Sequence, residues 1–396
     1  MGCDFSFIHC ADLHLGSRAW GVSKKDSDLG KRFYESTFRS FSRIVDAGLE
    51  KADFMVISGD VYDELYETPR TRLFFASEMK RFGKPCFVVT GNHDAVHSWS
   101  ASIPYPDNVV LFGTEPSSEE LNIRGRNIEV TGVSFEGPHT DENLVSKLKG
   151  KAGFYSIGVV HCSVGPGGNG YAPCSTEDLL GKDIQYWALG HIHKRSVVHK
   201  ADPVANYPGN IQGRDINESG EKGCMLVSVT GDRTETEFIP TQEILWDDIL
   251  LDISGVTTVQ ELVENTRECI VPGSIVGLTV KGRGGLNRPL RSNPEVLTEA
   301  LSAATGTYIF IRGLECLPEL DLKSIENGQT LLSEVLRSTK ELEAMSDQEL
   351  LDLLCPKGPA SDVRPYLQYF ADKGKLRELV TQAGLSVIDR LSGAEE

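Results

Sequence analysis

The 396-residue sequence holds no run of 18 apolar residues and so no candidate transmembrane helix. No CxxC pair occurs. The nine cysteines, at 3, 10, 86, 162, 174, 224, 269, 316 and 355, are scattered and odd in number. That argues against a disulfide framework or a zinc ribbon and fits reduced thiols in the cytoplasm. Positive charge is scarce. Forty Lys and Arg stand against 57 Asp and Glu, a net of −17, which argues against broad electrostatic adhesion to nucleic acid. The deficit is −7 over residues 1–240 and −10 over 241–396, so a DNA-binding version needs a focused patch, or charge from a metal or partner. There is no internal repeat and no low-complexity tract. No basic segment and cleavage site precede Phe5-Ser6-Phe7-Ile8, so no secretory signal is expected. The opening MGCDFS fits the loose myristoylation pattern. A strand entering the core from residue 5 leaves little slack for a lipid, and the match is read as chance.

What is present is layered. Over residues 1–240 short apolar runs alternate with helical patterns. The runs are Phe5–Ile8, Phe54–Ile57, Cys86–Val89, Val109–Phe112, Ile128–Val133, Tyr155–Val160 and Tyr186–Leu189. Phe33, Phe41, Ile44, Val45 and Leu49 recur at helical spacing between the first two. Strands rich in Val, Ile and Phe separated by helices indicate an α/β domain. Residues 196–240, with Gly-, Pro- and Asn-rich turns, read as hairpins closing the sheet. A second unit over 245–320 reads strand, helix, strand, helix, strand: Ile249–Ile253, Val259–Cys269, Ile275–Lys281, Asn293–Ala304 and Tyr308–Arg312. The tail, 328–396, is helical in pattern and broken at Pro356, Gly358 and Pro359. Such helices usually pack on their own core; docking a partner is the second reading.

Five polar motifs each follow a strand-like run: Asp12-Leu13-His14, Gly59-Asp60-Val61-Tyr62-Asp63, Gly91-Asn92-His93-Asp94, His161, and Gly190-His191-Ile192-His193. The carboxyl ends of strands are where α/β folds place ligand sites. Asp, His and Asn offer oxygen and nitrogen to a divalent metal, a mix that suits manganese, iron or zinc. In D-x-H and H-x-H the residues are two apart and can reach one cavity. Two metals about 3.5–4 Å apart can share a carboxylate and clamp a phosphate, and Asp60 is the natural bridge. All nine histidines lie between residues 9 and 199, and five of them sit in these motifs. A lone histidine is more often a satisfied core residue, so His9, His97, His139 and His199 keep a structural reading.

This ordered set, D-x-H, G-D-x-x-D, G-N-H-D, H and G-H-x-H, resembles the calcineurin-type metallophosphoesterase superfamily. FIHCADLHLGS, ISGDVYDE, VVTGNHDA, ALGHIHKR and YPGNIQGRDINESGEKG together resemble the SbcD-type DNA repair exonucleases and, within them, the YhaO-like branch. The resemblance is strong over residues 5–240, weaker over 245–312 and vague in the tail. It implies a four-layer αββα sandwich with a small α+β capping domain and a helical C-terminal tail. It implies a homodimer, two divalent metals, manganese first among them, a DNA substrate, and an SMC-like ATPase partner of the SbcC kind docked on the tail. Residue by residue, Asp12, His14, Asp60 and His193 would hold the first metal, and Asp60, Asn92, His161 and His191 the second. His93 would be the general acid, Asp94 would orient it, and Asp63 would lie just behind. Asp215 stands where relatives often have histidine, and Cys162 with the glycine-rich Ser163–Gly170 departs from the pattern.

DNA contact is expected from Lys281, Arg283, Arg288 and Arg291, read as one basic loop, with Arg18 and Arg195 beside metal motifs. Lys24, Lys25, Lys31 and Arg32 read as a second basic loop. Phosphate contact without base readout suits an enzyme that must cut any sequence. Two rivals remain: a small-molecule phosphodiesterase or nucleotidase with the same metals, and an adaptor for an ATPase. GDVYDE and GNHD disfavour a Ser/Thr protein phosphatase.

Overall fold

The structure, a computed structural model, describes residues 3–17, 27–63, 67–95, 103–166, 170–317, 322–355 and 363–392. The chain divides into two compact units. The first is Met1–Asp248 with Ile270–Gly277 and Gly306–Tyr308; the second is Ile249–Cys269, Leu278–Thr305 and Ile309–Glu396.

The first unit contains, in order, β1 (Phe5–Cys10), α1 (Ser27–Lys51), β2 (Phe54–Ser58), α2 (Pro69–Phe82), β3 (Cys86–Val89), β4 (Val109–Leu111), β5 (Ser117–Ile123), β6 (Arg126–Val133), β7 (Tyr155–His161), β8 (Ser163–Val164), β9 (Pro173–Cys174), β10 (Tyr186–Gly190), β11 (Ser196–His199), β12 (Val204–Tyr207), β13 (Gly223–Thr230) and β14 (Arg233–Pro240). Two six-stranded sheets result, in the orders β14-β13-β1-β2-β3-β4 and β11-β12-β10-β7-β6-β5. The centre of each is parallel: β1 to β4 in one, and β6, β7, β10 and β12 in the other.

The two-residue period of a strand sorts the side chains between layers. From β1, Phe5 and Phe7 enter the core between the sheets, while Ile8 and Cys10 enter the core against α1 and α2. Strands β2 and β3 do the same, with Phe54, Val56, Phe87 and Val89 inside and Met55, Ile57, Cys86 and Val88 outside. On the other sheet Tyr155, Ile157, Val159, Tyr186 and Ala188 face inward, and Val160, Trp187 and Leu189 face a third core. Phe7 stacks on Phe54 at 5.0 Å between centroids. Such aromatic pairs contribute about 0.5–1.5 kcal/mol beyond their burial. The outer face of the second sheet is covered by the short 3₁₀ turns Leu144–Lys147 and Glu177–Leu179 and by loops. Helix α2 is well defined: Thr68 and Thr71 cap each other, Pro69 opens the first turn and Gly83, at φ +63°, closes the last.

Residues 196–240, expected to close one sheet, are shared between two. Strands β11 and β12 extend the second sheet, and the β13–β14 hairpin extends the first. Strand β5, Ser117–Ile123, escapes an apolar pattern because it is an edge strand, polar and exposed along most of its length.

Around the second unit run β15 (Trp246–Asp252), α3 (Val259–Cys269), β16 (Ile275–Arg283), α4 (Asn287–Ser292), α5 (Pro294–Thr305) and β17 (Tyr308–Leu317), with a three-stranded sheet β15-β16-β17. Helices α6 (Leu322–Asn327), α7 (Leu331–Ala344), α8 (Asp347–Leu354), α9 (Arg364–Asp372) and α10 (Leu376–Ser392) follow in the same unit. The helices have a core of Leu350, Leu351, Leu376 and Val380. Among the described residues no helix is long and apolar enough to cross a membrane.

Candidate metal centre

Because the central strands of each sheet are parallel, their carboxyl ends share an edge, and the motif residues collect there. His161 continues the inward series Tyr155, Ile157, Val159 to the rim of the inter-sheet core, and pairs in register with Gly190. Asp12, Asp60, Asn92 and His191 lie just past β1, β2, β3 and β10. The turns are tied together by backbone bonds: Asp12 N to Gly59 O at 3.0 Å and His14 N to Asp60 O at 3.0 Å.

This crowding has a conformational cost. Asp12 (φ +52°), His14 (+42°), Asp60 (+52°) and His191 (+104°) adopt the left-handed region that L residues avoid. Strain of this kind persists where surrounding structure over-determines it, typically at functional sites. Gly91 is needed for close approach: a Cβ there would sit 2.2 Å from Asp60 Oδ1.

Two groups of possible ligands share this rim, Asp12–His14–His193 and Asp12–Asp60–His161, with ligand atoms within 4.8 Å of one another in each. Asp60 Oδ2 lies 3.7 Å from His14 Nε2 and 3.4 Å from His161 Nε2. One carboxylate oxygen thus faces both halves of the site. Asn92 Oδ1 lies 3.0 Å from His161 Nε2 and 3.2 Å from His191 Nδ1. His14 Nε2 and His193 Nε2 face each other at 3.2 Å, and His193 Nε2 is 3.7 Å from Asp12 Oδ1. A third group, His14–Asp63–His93, adjoins these.

Residues 5–195 match the profile of the calcineurin-like phosphoesterases. The metallophosphoesterase YhaO of Bacillus subtilis, named as uncharacterized, is 34% identical over 275 residues, 66% of this chain and 67% of that protein. The chain belongs to the calcineurin-like phosphoesterases. The DNA double-strand break repair protein Mre11 of Methanococcus maripaludis is 26% identical over 57% of this chain and 63% of its own length. The D polypeptide of the nuclease SbcCD of Bacillus subtilis is 24% identical over 62% of this chain and 69% of its own.

The donor chemistry fits the divalent cations of such a phosphoesterase. His161 Nδ1 donates to Ser58 O at 2.9 Å, so Nε2 presents a lone pair to Asp60 and Asn92. His193 Nδ1 lies 2.7 Å from Glu218 Oε1, so its Nε2 also presents a lone pair, toward His14. Lone pairs and carboxylates converge on this one buried rim. Burial, followed by the neighbouring Asp60, pushes the Asp12 carboxyl well above its ordinary value. Burial pushes Asp60 up to about 6 and holds His161 and His191 down at about 3. Without a cation the carboxylates resist ionising and the imidazoles resist protonation; a divalent metal removes both penalties at once.

His93 is half-exposed and sits at the mouth of the site. Its N–H donates to Asp60 Oδ1 at 3.0 Å, and its Nδ1 lies 3.6 Å from Asp63 Oδ1. Asp63, the largest influence on it, pushes the imidazole above its ordinary value. Asp94, expected to orient His93, does something else. Its Oδ2 accepts from Val61 N (2.7 Å) and Tyr62 N (3.4 Å), and its Oδ1 from Gly91 N (2.7 Å). It staples two metal-site turns together, and the residue beside His93 is Asp63. The buried His9 keeps its structural reading, at 2.9 Å from Tyr186 Oη and 3.1 Å from Ser58 Oγ.

The basic residues are arranged differently from the two loops expected. Lys281 and Arg283 end strand β16, and Arg288 and Arg291 lie on helix α4. Arg283 makes a bidentate pair with Asp389 at 2.7 and 2.6 Å. Arg291 donates to the Leu314 and Cys316 carbonyls at 3.3 and 3.0 Å. Both therefore work in packing their own unit. Lys31 and Arg32 lie on α1, and Arg195 lays its guanidinium 3.7 Å over the Phe238 ring. Arg18, Lys24, Lys25 and His97 fall outside the described residues. Asp215 caps a 3₁₀ turn, accepting from Asn217 N at 2.7 Å.

Three neighbours of the site had no individual sequence signal: Arg214, Glu218 and Lys222. Their shared feature is a four-residue spacing inside YPGNIQGRDINESGEKG. Burial pushes the Glu218 carboxyl up, but His193 and Arg214 outweigh it and hold it well below its ordinary value.

Proposed function

We propose that this phosphoesterase is a two-metal phosphodiesterase that hydrolyses DNA. One observation carries the reading: seven Asp, His and Asn side chains from five separated segments converge on one rim, with Asp60 Oδ2 facing both halves. Asp12, His14, Asp60 and His193 would hold one divalent cation, and Asp60, Asn92, His161 and His191 the other. Manganese suits these oxygen and nitrogen donors. Bound there, the pair would neutralise phosphoryl charge and supply an activated water. His93 protonates the leaving oxygen from its half-exposed place at the mouth, and Asp63 beside it favours the protonated imidazole that task needs. The main-chain bond to Asp60 keeps His93 in step with the bridging carboxylate.

DNA as substrate rests on the relatives named for double-strand break repair and for the nuclease SbcCD. In this reading residues 1–240 are the nuclease domain and 245–320 a cap over DNA. Residues 328–396 dock an SMC-like ATPase through exposed Leu331, Leu353, Tyr366 and Tyr369. A homodimer in the cytoplasm completes it. A small phosphodiester is the second reading, favoured by the net charge of −17 and by the internal pairing of Arg283 and Arg291. End-labelled duplex and single-stranded DNA, incubated with manganese beside cyclic nucleotides, separates the two. We expect DNA degradation that vanishes in Asp60→Ala and His93→Ala. Turnover of cyclic nucleotides with DNA left intact would reject the DNA reading.

A further inference from the structure

We propose that Glu218 is a positioning residue that commits His193 to the tautomer able to hold a metal ion. The inference rests on the metal reading of Asp12, His14 and His193 given above, and it assigns a task to the segment between β12 and β13.

An imidazole can ligate through Nε2 only if its proton sits on Nδ1. His193 Nδ1 has two neighbours that want opposite things. Glu218 Oε1, at 2.7 Å, can only accept. The Arg214 guanidinium, with Nη2 at 3.0 Å, can only donate. If Arg214 took the Nδ1 lone pair, the proton would move to Nε2 and point at His14 Nε2, 3.2 Å away. Either bond would be charge-assisted, but the Glu218 contact is the shorter, and the Arg214 guanidinium is already engaged by the Glu218 carboxylate, so the proton is placed on Nδ1 and Nε2 is left free.

Glu218 is itself held in place. Its Oε2 accepts from Asn210 Nδ2 at 2.7 Å and from Arg214 N at 2.8 Å. The Arg214 guanidinium bonds Oε1 at 3.1 Å through Nη2, and its Nη1 lies 3.8 Å from Asp63 Oδ2. Arg214 is thus a clamp on the carboxylate, and its approach to Nδ1 follows from that clamp. Lys222 Nζ donates to the His193 carbonyl at 2.9 Å, and Asn210 N does so at 3.2 Å, fixing the backbone of the same residue. Side chain and main chain of His193 are therefore both set from one segment. A carboxylate behind a ligating histidine raises its basicity and fixes its ring, and losing one typically costs about 10–100-fold in metal affinity.

The test uses the full chain and manganese alone as probe. Calorimetric titration of the unaltered protein should show two equivalents. Glu218→Ala should lose about 10–100-fold in affinity at one site and leave the other unchanged. Glu218→Gln, whose amide oxygen still accepts from Nδ1, should recover most of the loss. Long-range proton–nitrogen NMR on the metal-free unaltered chain should show His193 protonated on Nδ1. That spectrum needs no variant to fold, and protonation on Nε2 there overturns the proposal. Two equivalents bound alike by all three proteins overturns it while sparing the metal reading. An unaltered chain that takes up no manganese overturns the metal reading and this proposal with it.

Discussion

His93 and Asp94 are neighbours in the chain with different surroundings, and that difference sets what each loss should do. His93 faces outward beside Asp63, with its imidazole at the mouth of the site. His93→Ala is expected to lower kcat by about 10²–10⁴-fold while both metals still bind, read by steady-state kinetics beside metal titration. Asp94 turns inward and accepts three backbone N–H groups. Asp94→Ala leaves those donors without their acceptor, at about 1–3 kcal/mol for each that stays buried. A clear fall in Tm should therefore accompany any loss of rate. A parental Tm with a His93-like loss of kcat would restore Asp94 to the orienting role. The two carboxylates could not be told apart in the sequence, because adjacency on the chain is not contact. In the GNHD turn His93 lies beside Asp63, while Asp94 accepts from the Val61, Tyr62 and Gly91 N–H groups. The left-handed backbone at Asp12, His14 and Asp60 was equally illegible, since none of these is glycine. The polar residue types and their order after strands are legible, because Asp, His and Asn at the ends of five apolar runs are conspicuous in the sequence.

At the scale of elements, legibility followed burial. Strand β3 coincides with the run Cys86–Val89 because both its faces are covered, so four apolar residues in a row mark it. Strand β5 is polar because its faces are largely open, and pattern alone passes over it. The placement of charged side chains is the least legible feature of the sequence. A basic cluster near 281–291 looks like a DNA surface on the chain, yet Arg283 is taken up by Asp389 on α10. That pair is 25% and 10% exposed, and charge-assisted bonds of this kind contribute about 1.5–3 kcal/mol. Arg283→Ala is therefore expected to lower the unfolding temperature while leaving affinity for labelled DNA within twofold by fluorescence anisotropy. Weaker DNA binding at unchanged stability would return Arg283 to the DNA surface.

The first unit follows from one alternation repeated on two sheets. Aromatic and branched residues fill the layer between them, and where that layer reaches the rim the same inward positions become His161 and Gly190. The fold of a calcineurin-like phosphoesterase and its candidate site are thus one construction, in which the core's last row reaches the rim where the Asp and His side chains gather. Asp60 is expected to join two cation sites whose joint occupancy cleaves phosphodiesters. This is tested most directly by measuring manganese content and hydrolysis of bis(p-nitrophenyl) phosphate on the same preparations of unaltered and Asp60→Ala protein. Two equivalents with turnover in the first, and loss of at least one equivalent together with turnover in the second, is the expected result. Two equivalents retained by Asp60→Ala, or undiminished hydrolysis without them, would mean that Asp60 does not bridge two catalytic cations.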